Sequence, residues 1–230
     1  MQDKGSLCHS SFATPPYTCR VPPSSNIPRP TIKRLSLYLR SQESHLASGT
    51  ATISSRQLGQ SVGITDVQVR KDLGNIGQLG QPGIGYQVEA LRVELRRVLK
   101  TDREWNAVVV GVGNIGSAIL HYPHFGSKGF RIVAAIDASE DRIGQHIADL
   151  RIQRMGDLPA IVAEHDVRIG ILAVPAEAAQ HVAEEMTAAG IQGILNFAPI
   201  RIDVGKTAEV ASVDLSLSLE QLAYQVGIGD

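Results

Sequence analysis

Ala107-Val108-Val109-Val110-Gly111-Val112-Gly113-Asn114-Ile115-Gly116 decides the fold of this chain. An apolar run feeds a Gly-x-Gly-x-x-Gly turn, and a helical pattern follows. In such a β-α turn Gly111 permits the tight exit from the strand. Gly113 lets the main chain approach a pyrophosphate, and Gly116 lets the next helix pack against the sheet. The helix start at Asn114 and Ile115 presents free N–H groups and a positive dipole end to phosphates. The helix is expected over 114–121, with Ile115, Ile119 and Leu120 inward. A second strand, Phe130 to Ile136, ends at Asp137, 21 residues after Gly116. An acid near that spacing accepts hydrogen bonds from both ribose hydroxyls and repels a 2′-phosphate. Ala138 and Ser139 follow it rather than an arginine, so NAD(H) is expected over the phosphorylated form. Arg142 is the residue that argues the other way. The rival reading is a Rossmann-like core for another nucleotide-bearing ligand, such as coenzyme A.

Alternation continues downstream. Val167 to Val174 is a near-continuous apolar strand, as in a parallel sheet covered on both faces. Pro175 stops it, and Ala176 to Ala189 reads as a helix ended by Gly190. Gly193 to Pro199 is the next strand, and Val210 to Val213 a short one. Strands and helices alternating at this length specify a doubly wound sheet, with ligands at the carboxyl ends of the strands. Those ends carry Gly113, Asp137, Val174, Pro175 and Phe197.

Composition bounds the rest. At 230 residues and 43% hydrophobic, the chain holds enough apolar material for two small domains. No apolar stretch approaches the ~20 residues that span a bilayer, and no basic-then-apolar leader is present, so a cytoplasmic protein without membrane partners is expected. Cys8 and Cys19 both fall in a Ser-, Pro- and Thr-rich segment, 1–29, expected to be a disordered tail. No Cys/His cluster has metal-ligand spacing. The net charge of −1 hides an asymmetry: residues 31–100 carry ten basic and five acidic side chains, and residues 101–230 carry nine and seventeen. A basic head on an acidic body fits a DNA-binding unit joined to a ligand-binding one.

The head, 30–86, reads as a winged helix-turn-helix. Pro30 starts a helix with Ile32, Leu35, Leu37, Tyr38 and Leu39 as its stripe. Ser54-Ser55 caps a short helix, Val62-Gly63-Ile64 turns, and Thr65-Asp66 starts a second helix over 67–73. Val69 and Leu73 face the core, which leaves Gln68, Arg70 and Lys71 for a DNA groove. Ser55 joins them as a DNA-contact candidate. Five glycines between Gly74 and Gly85 suit a hairpin wing. A connecting helix is expected over 87–104, with Val88, Leu91, Leu95, Val98 and Leu99 on one face. Its arginines and Lys100 read as solvated.

These residues together resemble the bacterial redox-sensing transcriptional repressors of the Rex family over about 27–226. The most specific stretches are Gln68 to Leu73, Trp105 to Ala118, Phe130 to Asp137, Ala173 to Gln180, Gly193 to Pro199 and Val213-Asp214-Leu215-Ser216. The resemblance implies an α/β chain. A winged helix-turn-helix domain precedes a Rossmann NAD(H)-binding domain over 105–213, and a C-terminal helix over 214–230 is swapped onto the partner of a homodimer. It implies a non-enzymatic repressor that binds double-stranded inverted-repeat operator DNA when NAD+ is in excess and is released by NADH. It makes Leu217, Leu219, Leu222, Ala223 and Val226 the apolar face of the swapped helix. It also matches Arg40, Tyr122 and Asp214 to a cofactor-dependent switch between subunits. The chain departs from the family at Asn75-Ile76, where an aromatic pair is common, and at Gln81-Pro82, where the wing tip is usually basic. The alternative is a nicotinamide-dependent oxidoreductase with a regulatory head, for which His121, Tyr122 and His124 are the proton-transfer candidates.

Overall fold

The computed structural model describes residues 27–47 and 49–228, so residues 1–26 of the expected tail, with both cysteines, lie outside the described residues, while a helix already begins at Arg29, inside the segment read as tail. The chain divides into two compact units between Lys100 and Thr101.

The first unit begins with α1, Arg29–Ala47, then β1, Thr52–Ile53, α2, Ser55–Val62, and α3, Asp66–Gly74. β2, Gly80–Gln81, and β3, Gly85–Gln87, form the expected hairpin, and α4 runs Val88–Val98. The cap of α2 is Ser54. Its hydroxyl accepts from the Gln57 N–H, and its own N–H donates to the Gln57 side chain. Thr65 caps α3, its hydroxyl accepting from the Gln68 N–H at 3.3 Å. β1 was not expected; it pairs antiparallel with β3, giving the sheet order β1-β3-β2.

The buried face of α1 differs from the expected stripe. Thr31, Leu35, Tyr38 and Gln42 are buried, and Ile32 is 42% exposed. A turn of 3.6 residues puts 31, 35, 38 and 42 on one side and rotates Ile32 away. Val69 and Leu73 lie in the core as expected, with Ile76 beside them. The helix expected over 87–104 is shorter, and Val88, Leu91 and Leu95 bury its face in the core of this unit. Arg92 and Arg97 pair with Glu89 and Glu94 one turn back, which fits solvated arginines.

Asp72 ties the unit together. Its side chain is 1% exposed and faces Arg34. Oδ2 accepts from Arg34 Nε at 2.6 Å and from the Tyr38 hydroxyl at 2.8 Å. Oδ1 accepts from Arg34 Nη2 at 2.7 Å and from the Gln68 amide at 2.8 Å. Burial alone would raise this carboxyl. The hydrogen bonds from Arg34, Tyr38 and Gln68 outweigh that and hold it below its ordinary 3.8.

The second unit carries a seven-stranded sheet in the order β10-β9-β8-β4-β5-β7-β6. β4 is Trp105–Val110, α5 Asn114–Leu120 and β5 Phe130–Ile136. β6, His146–Ile147, and β7, Leu150–Gln153, form a short antiparallel hairpin on one edge. α6 is Leu158–His165, β8 Ile169–Leu172, α7 Ala176–Ala188, β9 Gly193–Asn196 and β10 Glu209–Ser212. Without β6, the strands stand in the 3-2-1-4-5-6 order of dinucleotide-binding folds. Val108 and Val110 of β4, Ile136 of β5, Leu172 of β8 and Ile194 of β9 form the core with Ala179, Ala183 and Met186 of α7. β8 and β9 are shorter than the expected 167–174 and 193–199, with single backbone bonds continuing beyond them at Ala173 and Phe197. The 146–165 segment was missed: β7 alternates polar and apolar residues over only four positions, and α6 is short and contains Pro159. α8, Leu215–Gly227, closes the described chain with no buried residue. No helix among the described residues is long and apolar enough to cross a membrane.

Asp72→Asn is expected to lower stability by about 3 kcal/mol, because Arg34 and Tyr38 lose their anionic partner. A depressed carboxyl stabilises the fold above its unfolded value, and that gain fades as pH falls through the folded one. Urea unfolding followed by circular dichroism should therefore show the wild type weakening below about pH 4, with a shallower acid limb in Asp72→Asn.

Candidate functional site

In the first unit α3 and the wing frame an open groove of about 700 Å³, lined by Ser55, Arg70 and the 77–86 hairpin. The outward face of α3 carries Val67, 63% exposed, with Arg70 and Lys71 one turn on. Arg70 Nη1 donates to Asp66 Oδ2 at 2.7 Å and to the Ser55 hydroxyl at 3.1 Å, which holds the guanidinium over the groove. Gln68 departs from expectation: its amide is not free for the groove but donates to Asp72. The inward face of α3 contains an acid, and Gln68 lies close enough to serve it. At the wing tip Ile84 N–H closes the turn on the Gln81 carbonyl, and Ile84 is 59% exposed. No lysine or arginine stands between Lys71 and Arg92. Arg40 is exposed on α1.

In the second unit the sheet brings the expected strand ends together. Gly111 N–H bonds the Ile136 carbonyl, Ala173 N–H the Val110 carbonyl and Phe197 N–H the Leu172 carbonyl. Gly111, Asp137, Val174 and Phe197 therefore stand on adjacent strands at one edge. Gly111 has φ +93°, and a Cβ there would meet the Ala173 carbonyl oxygen at 2.5 Å and Val174 Cγ1 at 2.8 Å. A Cβ on Gly116 would run into the Gly111 carbonyl oxygen, so helix and turn touch as the motif requires. A Cβ on Gly113 would meet nothing within 4 Å, which leaves open space over the loop. Ile119 is buried as expected, but Ile115 is 42% exposed. Ile115 lies in the first turn of α5, next to the glycine turn. Pro175 caps α7 in an extended conformation.

Asp137 is buried and accepts from Val112 N–H at 2.7 Å, Ser139 N–H at 2.8 Å and Arg142 Nη1 at 3.2 Å. Burial would raise it; the two backbone bonds and Arg142 outweigh that and keep it below its ordinary value. The carboxylate thus stays ionised and pins the glycine turn. Tyr122 follows α5, 53% exposed, its ring edge-on to His124 and Phe125. Its hydroxyl has no partner among the described residues. His121 Nδ1 lies 2.8 Å from the Ser117 carbonyl oxygen, a local helix-end contact. Asp214 caps α8, accepting from Ser216 and Leu217 N–H at 2.9 and 3.1 Å. Beyond it Leu215, Leu217, Leu219, Leu222, Tyr224, Val226 and Ile228 are all exposed.

Comparisons place this geometry. Residues 26–74 match the family described as "Putative DNA-binding protein N-terminus", and residues 102–200 match the "CoA binding domain". The Redox-sensing transcriptional repressor Rex of Desulforamulus reducens is 42% identical over 202 residues, 88% of this chain and 96% of that one. The chain belongs to the Rex family. The Rex protein of Streptomyces coelicolor is 39% identical over 201 residues, covering 87% of this chain and 78% of its own. RSP, a Rex-family repressor solved with NAD+ and operator DNA, is similar in fold at TM-score 0.84 and 34% identity, over 89% of this chain and 94% of that chain. RSP solved with NADH gives a TM-score of 0.80 and 33% identity, over 88% and 95%. The CoA-binding match describes the Rossmann-like domain of this Rex-family chain, and its bounds enclose the glycine turn and Asp137.

Two alanine variants separate packing from ligand space. Gly116→Ala is expected to destabilise by about 1–3 kcal/mol through the clash with the Gly111 carbonyl. Gly113→Ala should leave the melting temperature unchanged yet weaken NADH binding at least about tenfold, because its methyl occupies the pyrophosphate's approach. Thermal melts and NADH titration calorimetry on both variants check this.

Proposed function

We propose that the chain is a repressor that reads the NADH/NAD+ ratio, binds inverted-repeat operator DNA as a homodimer and is released by NADH. The observation that carries it is the joining of two sites in one Rex-family chain, a helix-turn-helix with a wing and a Rossmann edge with a complete glycine turn. RSP, similar over nearly the whole length, was solved with NAD+ on operator DNA and separately with NADH, which supports the same pair of ligands here. The ligands of those structures favour a nicotinamide dinucleotide over coenzyme A.

Roles follow from position. The Gly111–Gly116 turn, with Asn114 and Ile115, cradles the pyrophosphate, and Asp137 meets the adenosine ribose. Val174, Pro175 and Phe197 line the strand ends towards the nicotinamide. Arg70 and Lys71 contact DNA, with Ser55 beside them. Gln68 acts by positioning Asp72, and turns outward only if Asp72 keeps its other donors. Arg40, Tyr122 and Asp214 form the switch. The exposure of Tyr122 and its unpartnered hydroxyl suit a side chain that finds its hydrogen bond in one state of the dimer. Release requires only that NADH bind the DNA-free arrangement more tightly than the DNA-bound one. The protein acts in the cytoplasm, where the operators are.

α8 supplies the dimer contact. Isolated helices of 13 residues are marginal in water, and α8 buries none of its side chains among the described residues. A second copy of the same helix offers that cover.

Fluorescence anisotropy of an inverted-repeat probe should show release by NADH at concentrations where NAD+ leaves the complex intact. DNA binding indifferent to both cofactors would refute the sensor. Leu222→Asp is expected to shift the protein from dimer to monomer in analytical ultracentrifugation and to cost at least about tenfold in operator affinity.

A further inference from the structure

Val67 is the most exposed large hydrophobic side chain among the described residues of the first unit, at 63%. It stands in the first turn of α3, just after Asp66 and the Thr65 cap. A β-branched residue is a modest helix former, and an exposed one gains no core packing to offset that. The fold of the head therefore gives no reason for a valine at this position.

Helical spacing puts positions 67, 70, 71 and 74 on one outward stripe. Val67, Arg70, Lys71 and Gly74 are exposed there, while Val69, Asp72 and Leu73 are buried behind them. Gly74 has no side chain to offer. The stripe thus presents two cations and one branched apolar group. Arg70 is held by Asp66 at 2.7 Å and by Ser55 at 3.1 Å, so the valine stands at a fixed offset from a fixed guanidinium.

The major groove of DNA offers a partner for each of these groups. Arginine and lysine suit guanine edges or phosphates, glutamine suits the adenine edge, and the C5 methyl of thymine is the apolar feature. Gln68 is the sole amide side chain of α3. Its nitrogen donates to Asp72 Oδ1 at 2.8 Å, which holds it inward. That leaves α3 one way to recognise an A·T pair, through the methyl group.

We propose that Val67 is a specificity-determining residue of the operator contact: its γ-methyl groups pack on the C5 methyl of one thymine in each half-site. α3 then reads that base pair by apolar contact rather than by hydrogen bonds. This rests on the operator-binding reading above.

Fluorescence anisotropy tests it, with the full-length protein, NAD+ and the tightest-binding inverted-repeat duplex that the wild type selects from a randomised pool. Each thymine is replaced in turn by deoxyuridine, symmetrically in both half-sites, which removes the methyl and keeps the base pairing. For the wild type, one position is expected to cost about fourfold per half-site and about fifteenfold in the symmetric duplex. Val67→Ser should bind the parent duplex about fifteenfold more weakly and distinguish thymine from uracil there by less than about twofold. Val67→Ile should keep the uracil penalty. The slope of affinity against salt should match between wild type and Val67→Ser, because no phosphate contact is lost. Equal melting temperatures for the two show that the head stays folded. A wild type indifferent to uracil at every thymine would overturn the proposal, as would an undiminished uracil penalty in Val67→Ser. A wild type that selects no inverted repeat, even at low salt, would overturn the operator reading itself and the proposal with it.

Discussion

The Asp72 carboxylate accepts from Arg34, Tyr38 and Gln68, and those donors come from α1 and α3. α3 is the element that faces the groove, and α1 runs behind it. A buried charge with a full set of donors is tolerated, and one stripped of them is strongly unfavourable. The bond set therefore admits one placement of α3 against α1. Everything α3 presents outward inherits that placement. Val67, Arg70 and Lys71 face outward, with Arg70 in the groove, because Val69, Asp72, Leu73 and Ile76 face inward. Arg70 is oriented again by Asp66 and Ser55, so its guanidinium is held in position before any ligand arrives.

Asp137 does the corresponding work in the second unit. It reaches back to Val112 N–H, inside the glycine turn, from the end of the neighbouring strand. The turn is thus braced by the residue expected to read the ribose. A change in the charge around Asp137 is felt by the glycine loop itself. Sequence spacing indicated an acid for the ribose; it did not indicate that the same oxygens hold the backbone of the loop.

Much of the fold was legible because its signals are local. Gly-x-Gly-x-x-Gly after a valine run, an acid at the end of the next strand and apolar strands separated by helical spacers define the parallel sheet. The β5 limits expected from the apolar run agree with the structure. The Ser54 and Thr65 caps bound the two helices of the DNA-binding head. What escaped depends on contacts far apart in the chain. β1 has two residues and exists only through β3. The α1 stripe was misjudged because its inward face holds Thr31 and Gln42, polar residues that no apolar pattern reveals. Asp72 carried a readable signal that passed unused. It stands three residues from Val69 and four before Ile76, on the face those side chains bury, and an acid there needs a buried cation. The redirection of Gln68 follows from the same fact. At Ile115 the helical stripe pointed inward, yet this first-turn position stands at the open end of α5 beside the glycine loop.

The bare face of α8 has a consequence for how the protein behaves at low copy number. With its leucines exposed among the described residues, the helix and any dimer built on it share a single mass-action equilibrium. Below the dimer dissociation constant, the species competent to span two half-sites declines with the square of the monomer concentration. Expression level then becomes an input to the regulator alongside its cofactor. A cell that dilutes the protein by growth loosens its operators without any change in redox state.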